Sequence, residues 1–546
     1  MTVLAAAAAA AAAVACAGCG TTASTPGAAR PGPPMLTLFE DQPHLLSNPT
    51  ATLDSFRSLG VTDVRVSMGW TSLAPDPISR KAPSPFSATN PAAYPAAEWA
   101  PYDAIVRDAA ARGIAVYFLL TGPAPLWAAT PAPQGTATHD AGVYEPSATQ
   151  FGEFVKAVGT RYDGHYTPPG GSSSLPAVRF WSIWDEPNYG FQLAPQAIGG
   201  VETSPYLYRG LVDAAWGALH SSGHAGDTIL IGETAPRGAN VPGVANGMVP
   251  LRFLRALYCV GSTYRELRGA AAAARRCPTT ASASQGFRAA NPALFEASGF
   301  AAHLYTTGQD TAPNVPTPSN EPDYAGLADL PKLEGALDRL TAIYGSSRRF
   351  PIYNTEFGFQ TEPPVSNCGC VFLSPAKAAA YLNWAEYLEW RNPRMRSDAQ
   401  YLLYDAPSGV PARPAESSFS SGLLFLSGAP KPSYAAFRLP VYLPVSSTGR
   451  GRSLEVWGDV RPAASAERDS GSVPPVAIQF KPASGGAWRT VRTVTITGPA
   501  GDFEVPVSFP GSGSVRLQWT YPAKFAFLPS GTSRTVWSRV QAITVG

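Results

Sequence analysis

The stretch Val178-Arg179-Phe180-Trp181-Ser182-Ile183-Trp184-Asp185-Glu186-Pro187-Asn188 changes within a few residues from a short apolar run to two adjacent acids. Its first part has the length of a strand and is apolar on both faces, which is typical of a strand buried in a parallel sheet. The acids then stand at the carboxyl end of that strand. Because the carboxyl ends of parallel strands meet on one side of a sheet, we expect functional side chains where similar strands end.

Short apolar runs of strand length recur through the first four-fifths of the chain and alternate with stretches of helical periodicity. Gly60 and Gly113 follow two such helical stretches, at positions that suit a C-cap glycine. Eight strands alternating with helices predict an α/β fold, a (β/α)8 TIM barrel over residues 35–440. A doubly wound sheet is the alternative, and the count of eight argues against it. The predicted strands are Met35–Glu40, Val61–Met68, Ile114–Thr121, Val178–Trp184, Thr228–Thr234, Phe300–Tyr305, Phe350–Glu356 and Gln400–Asp405.

Residues 441–546 show strand-like alternation and no helical period, which predicts a small C-terminal β-sandwich. Four tryptophans in this region have two interpretations, a sugar-binding platform or, more simply, the core of the sandwich: Trp457, Trp488, Trp519 and Trp537. The predicted strands are Leu454–Val460, Val476–Phe480, Val491–Thr497, Phe503–Phe509, Val515–Thr520 and Val536–Val545.

The N-terminus is typical of an export signal. Val3–Ala15 is an apolar run too short to span a bilayer comfortably, and small residues precede Cys16 and Cys19. We expect a signal peptide over residues 1–19, in the manner of a bacterial lipoprotein, and a flexible tether over residues 20–34. The protein is therefore expected to be secreted or held at the cell surface, with a lipidated cysteine as a membrane tether.

The four remaining cysteines suit an oxidising compartment. We expect Cys259 to pair with Cys277, although the sequence leaves the connectivity open. Cys368 and Cys370 lie close together, and a zinc site is the alternative for them. No second pair of ligands at suitable spacing accompanies them, which argues against a metal.

The overall charge excludes one class of partner. The 546 residues contain 41 Lys and Arg against 39 Asp and Glu, a formal charge of +2, whereas a nucleic-acid-binding protein normally carries a basic face. We therefore expect no nucleic-acid partner, and we expect a monomer.

Two carboxylic acids stand at predicted strand ends on opposite sides of the barrel mouth, Glu186 after strand four and Glu356 at the end of strand seven. Glycoside hydrolysis needs one protonated carboxyl as a proton donor and one carboxylate as nucleophile or stabiliser. Arg65 is placed to keep Glu356 ionised, and Tyr305 is placed to donate a hydrogen bond to it. The apolar Trp184 near Glu186 favours a raised pKa for an acid in this position.

These residues resemble the motifs of the clan A glycoside hydrolases, with families 5 and 39 the most similar in texture. Trp184-Asp185-Glu186-Pro187-Asn188 resembles the W-N-E-P-N motif of strand four, and Thr355-Glu356-Phe357-Gly358 resembles the nucleophile motif of strand seven. His303-x-Tyr305 and Arg65 resemble residues of strands six and two. The run from Gly422 to Tyr434 resembles the segment after strand eight. The resemblance implies a retaining glycoside hydrolase that cleaves β-linked poly- or oligosaccharides and needs no cofactor or metal.

One residue departs from the motif, because Asp185 stands where the clan has an asparagine. An ionised Asp accepts hydrogen bonds and cannot donate them, which puts recognition of the sugar 2-hydroxyl in question. Further candidates for substrate contact or support follow the strand ends, and each has loop packing as its alternative: Trp70, Trp127, Asn188, Tyr189, Glu40, Asp41 and Glu233.

Two other functions remain open from the sequence. A transglycosidase would use the same two glutamates with a sugar hydroxyl in place of water. A non-catalytic carbohydrate-binding or cell-wall protein on an inactive barrel is the third hypothesis, and it has no need to keep both acids.

Overall fold

The predicted (β/α)8 barrel is confirmed by the computed structural model, which describes residues 25–26, 30, 32–136, 141–364, 371–409, 417–498 and 500–546. Eight parallel strands pair in a closed ring in which strand eight returns to strand one. In chain order, strands one to eight of the barrel are Leu36–Glu40, Asp63–Gly69, Ala115–Thr121, Phe180–Ile183, Thr228–Thr234, Gly299–His303, Ile352–Glu356 and Met395–Tyr401.

A helix follows each strand and buries its apolar face against the barrel. Gly60 and Gly113 end the first two of these helices in the left-handed conformation, as their positions in the sequence predicted. The eight helices are Pro49–Leu59, Ala96–Arg112, Ala148–Arg161, Ser204–Leu219, Pro250–Leu257, Leu330–Ile343, Pro375–Arg391 and Pro432–Arg438. Shorter helices lie in the connections, at Gln42–Ser47, Trp70–Leu73, Gly269–Ala273, Ala281–Gln285, Phe287–Ala290 and Ala293–Glu296.

The predicted position of strand eight is wrong. The strand is Met395–Tyr401, whereas the sequence indicated Gln400–Asp405. Its middle carries polar residues that are nevertheless buried, among them Ser397 and Asp398. Asp398 is held by an ion pair to Arg461 at 2.7 Å, so tertiary partners allow a strand where the apolar pattern is weak.

The C-terminal region forms an antiparallel sheet and a larger, mostly antiparallel sheet with two short parallel edge strands, and the two share one hydrophobic core, separate from that of the barrel. The smaller sheet consists of Val441–Tyr442, Ser453–Asp459 and Asp502–Ser508. The larger sheet consists of Val476–Pro482, Arg489–Thr495, Gly513–Thr520, Thr535–Trp537 and Gln541–Val545, with the short strands Thr25–Pro26 and Ser447–Thr448. This arrangement agrees with the predicted sandwich.

The sequence missed one helix in this region, Ala463–Ser470. It lies against the barrel, where Asp469 pairs with Arg57 at 2.5 Å and Arg468 donates to the carbonyl of Arg112 at 3.1 Å. Contacts with another part of the chain therefore stabilise a helix for which the local sequence gives little signal.

The four tryptophans of the C-terminal region fall into two pairs. Trp457 and Trp519 are buried, so they belong to the interior and cannot form a platform. Trp488 and Trp537 both pack near the Arg516 guanidinium, with ring centroids 4.2 and 5.3 Å from its central carbon. A platform of all four rings is therefore excluded.

Cys259 and Cys277 form a disulfide, with 5.6 Å between their Cα atoms. The predicted signal segment with Cys16 and Cys19 lies outside the described residues, and so do Cys368 and Cys370 with their alternative zinc site. Among the helices that the structure describes, none combines the length and the apolar character needed to cross a membrane.

Candidate active site

Charged side chains from most of the barrel strands meet at the carboxyl ends of those strands. Glu40 ends strand one, Glu233 lies near the end of strand five, His303 ends strand six and Glu356 ends strand seven. This is the side of the barrel on which such folds place their active sites.

Arg65, on strand two, is the central cation of this group and has almost no exposed surface. Its guanidinium contacts four carboxylates. Nη2 lies 2.8 Å from Asp185 and 3.2 Å from Glu233, while Nη1 contacts Glu40 and lies 3.2 Å from Glu356. Burial alone would lower the pKa of Arg65, but the surrounding carboxylates, Glu40 foremost, raise it well above its ordinary value. The cation is therefore permanent.

Glu356 is held by two donors, as the sequence predicted for its partners. Arg65 lies on Oε2, and the Tyr305 hydroxyl donates to Oε1 at 2.9 Å. Burial, followed by the charge of Glu356, raises the pKa of Tyr305 well above its ordinary value, so the hydroxyl keeps its proton and remains a donor. Each oxygen of Glu356 thus has one hydrogen-bond donor from the protein.

Glu186 is held differently, through His303. The Nδ1 atom of His303 lies 2.9 Å from Glu186 Oε1, and its Nε2 atom lies 2.9 Å from Glu233 Oε2. Burial would lower the pKa of His303, but the nearby carboxylates, with Glu356 the largest influence, raise it well above its ordinary value. Among the residues that the structure describes, Glu186 Oε2 has no hydrogen-bond partner, so this oxygen is available to a ligand.

The distances from His303 limit how far apart the two candidate catalytic acids can be. Its Nδ1 atom is 2.9 Å from Glu186 Oε1 and 3.7 Å from Glu356 Oε2. The two carboxyl oxygens therefore lie at most about 6.6 Å apart, the sum of those two distances. Retaining glycosidases separate their carboxyl groups by roughly 5–5.5 Å and inverting ones by roughly 6.5–9.5 Å. The upper bound includes the retaining separation and excludes most of the inverting range.

Two further acids of the site carry protons near neutrality. Burial raises the pKa of Glu40 to about 7, against the opposing charge of Arg65. Burial likewise raises the pKa of Asp185 to about 7, again against Arg65. For Glu233 burial would also raise the pKa, but Arg65 and His303 outweigh it and hold the pKa well below the ordinary value. The group thus reduces its excess negative charge by binding protons.

The backbone at the ends of strands four and five is strained. Trp184, Glu186 and Glu233 have φ values of 64°, 35° and 47°, in the left-handed region that side chains other than glycine seldom adopt. Packing holds Trp184 there, since its indole is buried and donates to the carbonyl of Gln192 at 3.0 Å. A Cβ on Gly122 would lie 2.7 Å from that indole, so the adjacent turn requires glycine.

A cavity of about 490 Å³ opens over the two acids. Four of its lining residues were candidates from the sequence: Glu186, Tyr189, Tyr305 and Glu356. Seven others were missed, because they lie in connections whose path the sequence does not reveal: Ala235, Pro236, Arg237, Gly238, Gln309, Tyr324 and Phe419. The volume is within the range of small-molecule sites, roughly 300–1,000 Å³.

Several predicted substrate contacts are not among the residues that line this cavity. Trp70 is fully buried and packs on Phe154 at a centroid distance of 5.8 Å, so it cannot touch a sugar. Trp127 packs edge-on against Trp70, and its indole donates to the carbonyl of Pro75 at 3.1 Å. Asn188 is also buried, and its amide donates to two backbone carbonyls in the connection after strand five.

The three remaining acidic candidates, Glu40, Asp41 and Glu233, are buried and bonded within the protein. Glu40 and Glu233 are buried against Arg65 and therefore position the site rather than bind sugar hydroxyls. Asp41 caps the helix Gln42–Ser47 and accepts hydrogen bonds from the backbone of Leu403 and Tyr404. It ties strand one to the segment after strand eight.

Asp185, Glu233 and His303 bring possible metal-ligand atoms within 4.8 Å of one another. Arg65 already donates to both carboxylates, and the ring of His303 already bonds to Glu233. The donor set is thus balanced by cations of the chain itself, and its residues do not fit a metal ion.

Of the comparisons with known proteins, the one with solved structures gave matches. No protein-family model matches this chain, and no match was found among curated proteins. A glucosidase from Croceicoccus marinus aligns with a TM-score of 0.46 and 12% identity, covering 96% of each chain. A monomeric β-xylosidase from Caulobacter crescentus CB15 gives 0.46 and 13% over 95% of each chain. A family 39 glycoside hydrolase from the gut symbiont Bacteroides cellulosilyticus WH2 gives 0.42 and 13%, covering 87% of this chain and 79% of its own.

Proposed function

We propose that this protein is a retaining glycoside hydrolase that acts on β-linked poly- or oligosaccharides. The observation that carries the proposal is the arrangement of Glu186 and Glu356, which line one cavity and both lie within 3.7 Å of a single nitrogen of His303. The β configuration of the substrate rests on the resemblance of the sequence motifs to clan A.

The different contacts of the two acids support a separate role for each. Glu356, bonded to Arg65 and to the hydroxyl of Tyr305, is the carboxylate that attacks the anomeric carbon and forms the glycosyl–enzyme bond. Glu186 gives its proton to the departing glycosidic oxygen. In the second step Glu186 takes a proton from water as the water oxygen attacks the anomeric carbon and the bond to Glu356 breaks.

Asp185 directly precedes Glu186 in the sequence and contacts Arg65, which also contacts Glu356. Its Oδ1 accepts from Arg65 at 2.8 Å and its Oδ2 accepts from Gln192 at 3.1 Å. With a pKa near 7, it carries a proton under mildly acidic conditions and can then donate a hydrogen bond, as the asparagine of the resembled motif does. The departure from the motif is thus compatible with sugar recognition.

The test is the replacement of each acid combined with azide. Glu356→Ala should lose nearly all turnover of aryl β-glycosides, and azide entering from the vacated face should give the inverted glycosyl azide. Glu186→Ala keeps the nucleophile, so azide should give the retained product after two displacements. Proton NMR of the anomeric centre distinguishes the two products.

Glu98→Ala is a matched control, because Glu98 is an exposed carboxylate on an outer helix. It should retain wild-type turnover and form no azide product. Wild-type turnover in Glu356→Ala, or the same azide anomer from both acid variants, would contradict the assigned roles.

Export and lipid anchoring through Cys16 or Cys19 remain part of the proposal. Mass spectrometry of the mature protein from its host would show whether cleavage occurs directly before one of these cysteines and whether acyl chains are attached. A mature chain that keeps residues 1–19 would contradict it.

A further inference from the structure

Arg237 is an exposed arginine in the wall of the catalytic cavity. It follows strand five by three residues and lines the same space as Glu186 and Glu356. One of its five N–H donors is occupied, because Nη1 donates to the carbonyl of Thr307 at 3.1 Å. Within the part of the chain that the structure describes, it forms no ion pair with an acidic side chain. This bond fixes the side chain and leaves most of its donors free.

Two arginines of the helix that follows Arg237 have acidic partners. Arg252 lies 2.6 Å from Glu202, and Arg255 lies 2.5 Å from Asp323. In contrast to these two, Arg237 has no acidic partner among the described residues and lines the cavity. A permanent positive charge that faces a substrate site attracts and orients anions.

The surroundings of Arg237 suit a polar, charged part of a sugar. Tyr324 and Gln309 line the same cavity, and the Tyr324 hydroxyl donates to the carbonyl of Gly238 at 2.9 Å, which fixes the ring beside the arginine. A neutral sugar is bound through hydroxyl partners and does not need a full charge. The catalytic carboxylates would repel an anionic sugar, so a cation in the cavity wall is required to hold one.

We propose that Arg237 recognises an anionic substituent of the sugar ring, the carboxylate of a hexuronic acid or a sulfate ester. The planar guanidinium fork matches the paired oxygens of either group. This inference rests on the proposed function for the reaction, but the recognition itself is a binding property that can be measured without turnover.

The kinetic test compares three aryl glycosides that differ in charge: 4-nitrophenyl β-D-glucuronide, β-D-glucoside and β-D-glucoside 6-sulfate. The wild-type protein should have a higher kcat/KM for an anionic substrate than for the glucoside. Arg237→Gln should lower the ratio of anionic to neutral kcat/KM by about 10- to 150-fold, the worth of a hydrogen bond to a charged group. Arg237→Lys should fall between the two, since it keeps the charge and loses the fork.

Arg450→Gln is the matched control, because Arg450 is an exposed arginine of the C-terminal region. It should leave the ratio unchanged. The preference between glucuronide and sulfate identifies the source of the anion. A wild-type preference for the neutral glucoside, or an unchanged ratio in Arg237→Gln, would overturn the inference.

A binding measurement separates this inference from the proposed reaction. Calorimetric titration of Glu356→Ala with free D-glucuronate, D-glucose 6-sulfate and D-glucose should show binding of an anionic sugar that Arg237→Gln abolishes in the same background. If that binding occurs and no glycoside is ever hydrolysed, only the proposed reaction fails. If glycosides are hydrolysed and anionic sugars bind no better than glucose, only the assignment of Arg237 fails.

Discussion

Replacing Asp185 by asparagine tests how the fold treats charge at the centre of the site. The two side chains have nearly the same shape, so Asp185→Asn keeps an oxygen for Arg65 Nη2, which lies 2.8 Å away. Gln192 can rotate its amide to accept from the new NH2 group. The variant therefore changes the charge of this position and little else.

The expected magnitude follows from the pKa of Asp185, which burial raises from 3.8 to about 7 against the charge of Arg65. The folded protein holds the proton more tightly than the unfolded chain does. Asp185 therefore contributes stability that is full below about pH 4 and is lost as the pH rises to about 7. A shift of about three pKa units corresponds to at most about 4 kcal/mol, at about 1.4 kcal/mol for each unit. Asparagine has no such loss.

The assay is calorimetric unfolding of both proteins between pH 4 and pH 8. The melting temperature of Asp185→Asn relative to wild type should rise across this range, because wild-type Asp185 ionises at an increasing cost while the amide does not. Glu98→Gln, a change at an exposed carboxylate, should give a nearly constant difference. A difference for Asp185→Asn that is constant, or that falls as the pH rises, would refute the reasoning.

Three further changes test other parts of the structure. Tyr305→Phe removes the donor 2.9 Å from Glu356 and should lower kcat/KM for aryl glycosides by about 10- to 150-fold with the melting temperature nearly unchanged; an unaltered kcat/KM would contradict the role of this hydroxyl. Lys431→Met leaves the buried carboxylate of Asp405 without the ammonium group that lies 2.6 Å away. The free energy of unfolding, measured by denaturant titration, should fall by about 3–5 kcal/mol. A loss below about 1 kcal/mol would contradict this prediction. Replacing both Cys259 and Cys277 by serine removes a disulfide that joins residues 18 positions apart, and the free energy of unfolding should fall by about 3 kcal/mol. A reductant should lower the melting temperature of the wild-type protein and leave that of the double variant unchanged.

The barrel could be predicted where each strand is a continuous apolar run. For strands one to seven the predicted bounds differ from the observed ones by no more than two residues at either end. Strand eight could not be placed in this way, because Ser397 and Asp398 interrupt its apolar pattern and find buried partners elsewhere in the fold. Pattern reading detects burial through apolar residues and does not detect a buried polar residue that is satisfied by tertiary contacts.

The same limit explains the mixed outcome for the candidate site. Residues on the strands, such as Arg65, His303 and Glu356, could be placed because the end of a strand fixes the direction of its side chains. Trp70 and Asn188 come just after strand ends, where the chain turns, and both side chains point into the protein. Arg237 and Phe419 reach the cavity from connections whose course depends on packing over the whole chain. Sequence separation from a strand end does not determine where such residues lie.

The energetics of the site also bear on the hypothesis of an inactive barrel. Four acidic side chains surround one buried guanidinium, which is expensive because the buried ions lose their hydration and two of the acids have their pKa raised to about 7. Well-packed apolar side chains of similar volume would usually be as stabilising in this position. Strained backbone at Trp184, Glu186 and Glu233 adds a cost of roughly 1–3 kcal/mol for each residue. A barrel that served only as a scaffold would gain nothing from these costs, so their concentration at one place supports the proposal of a catalytic site.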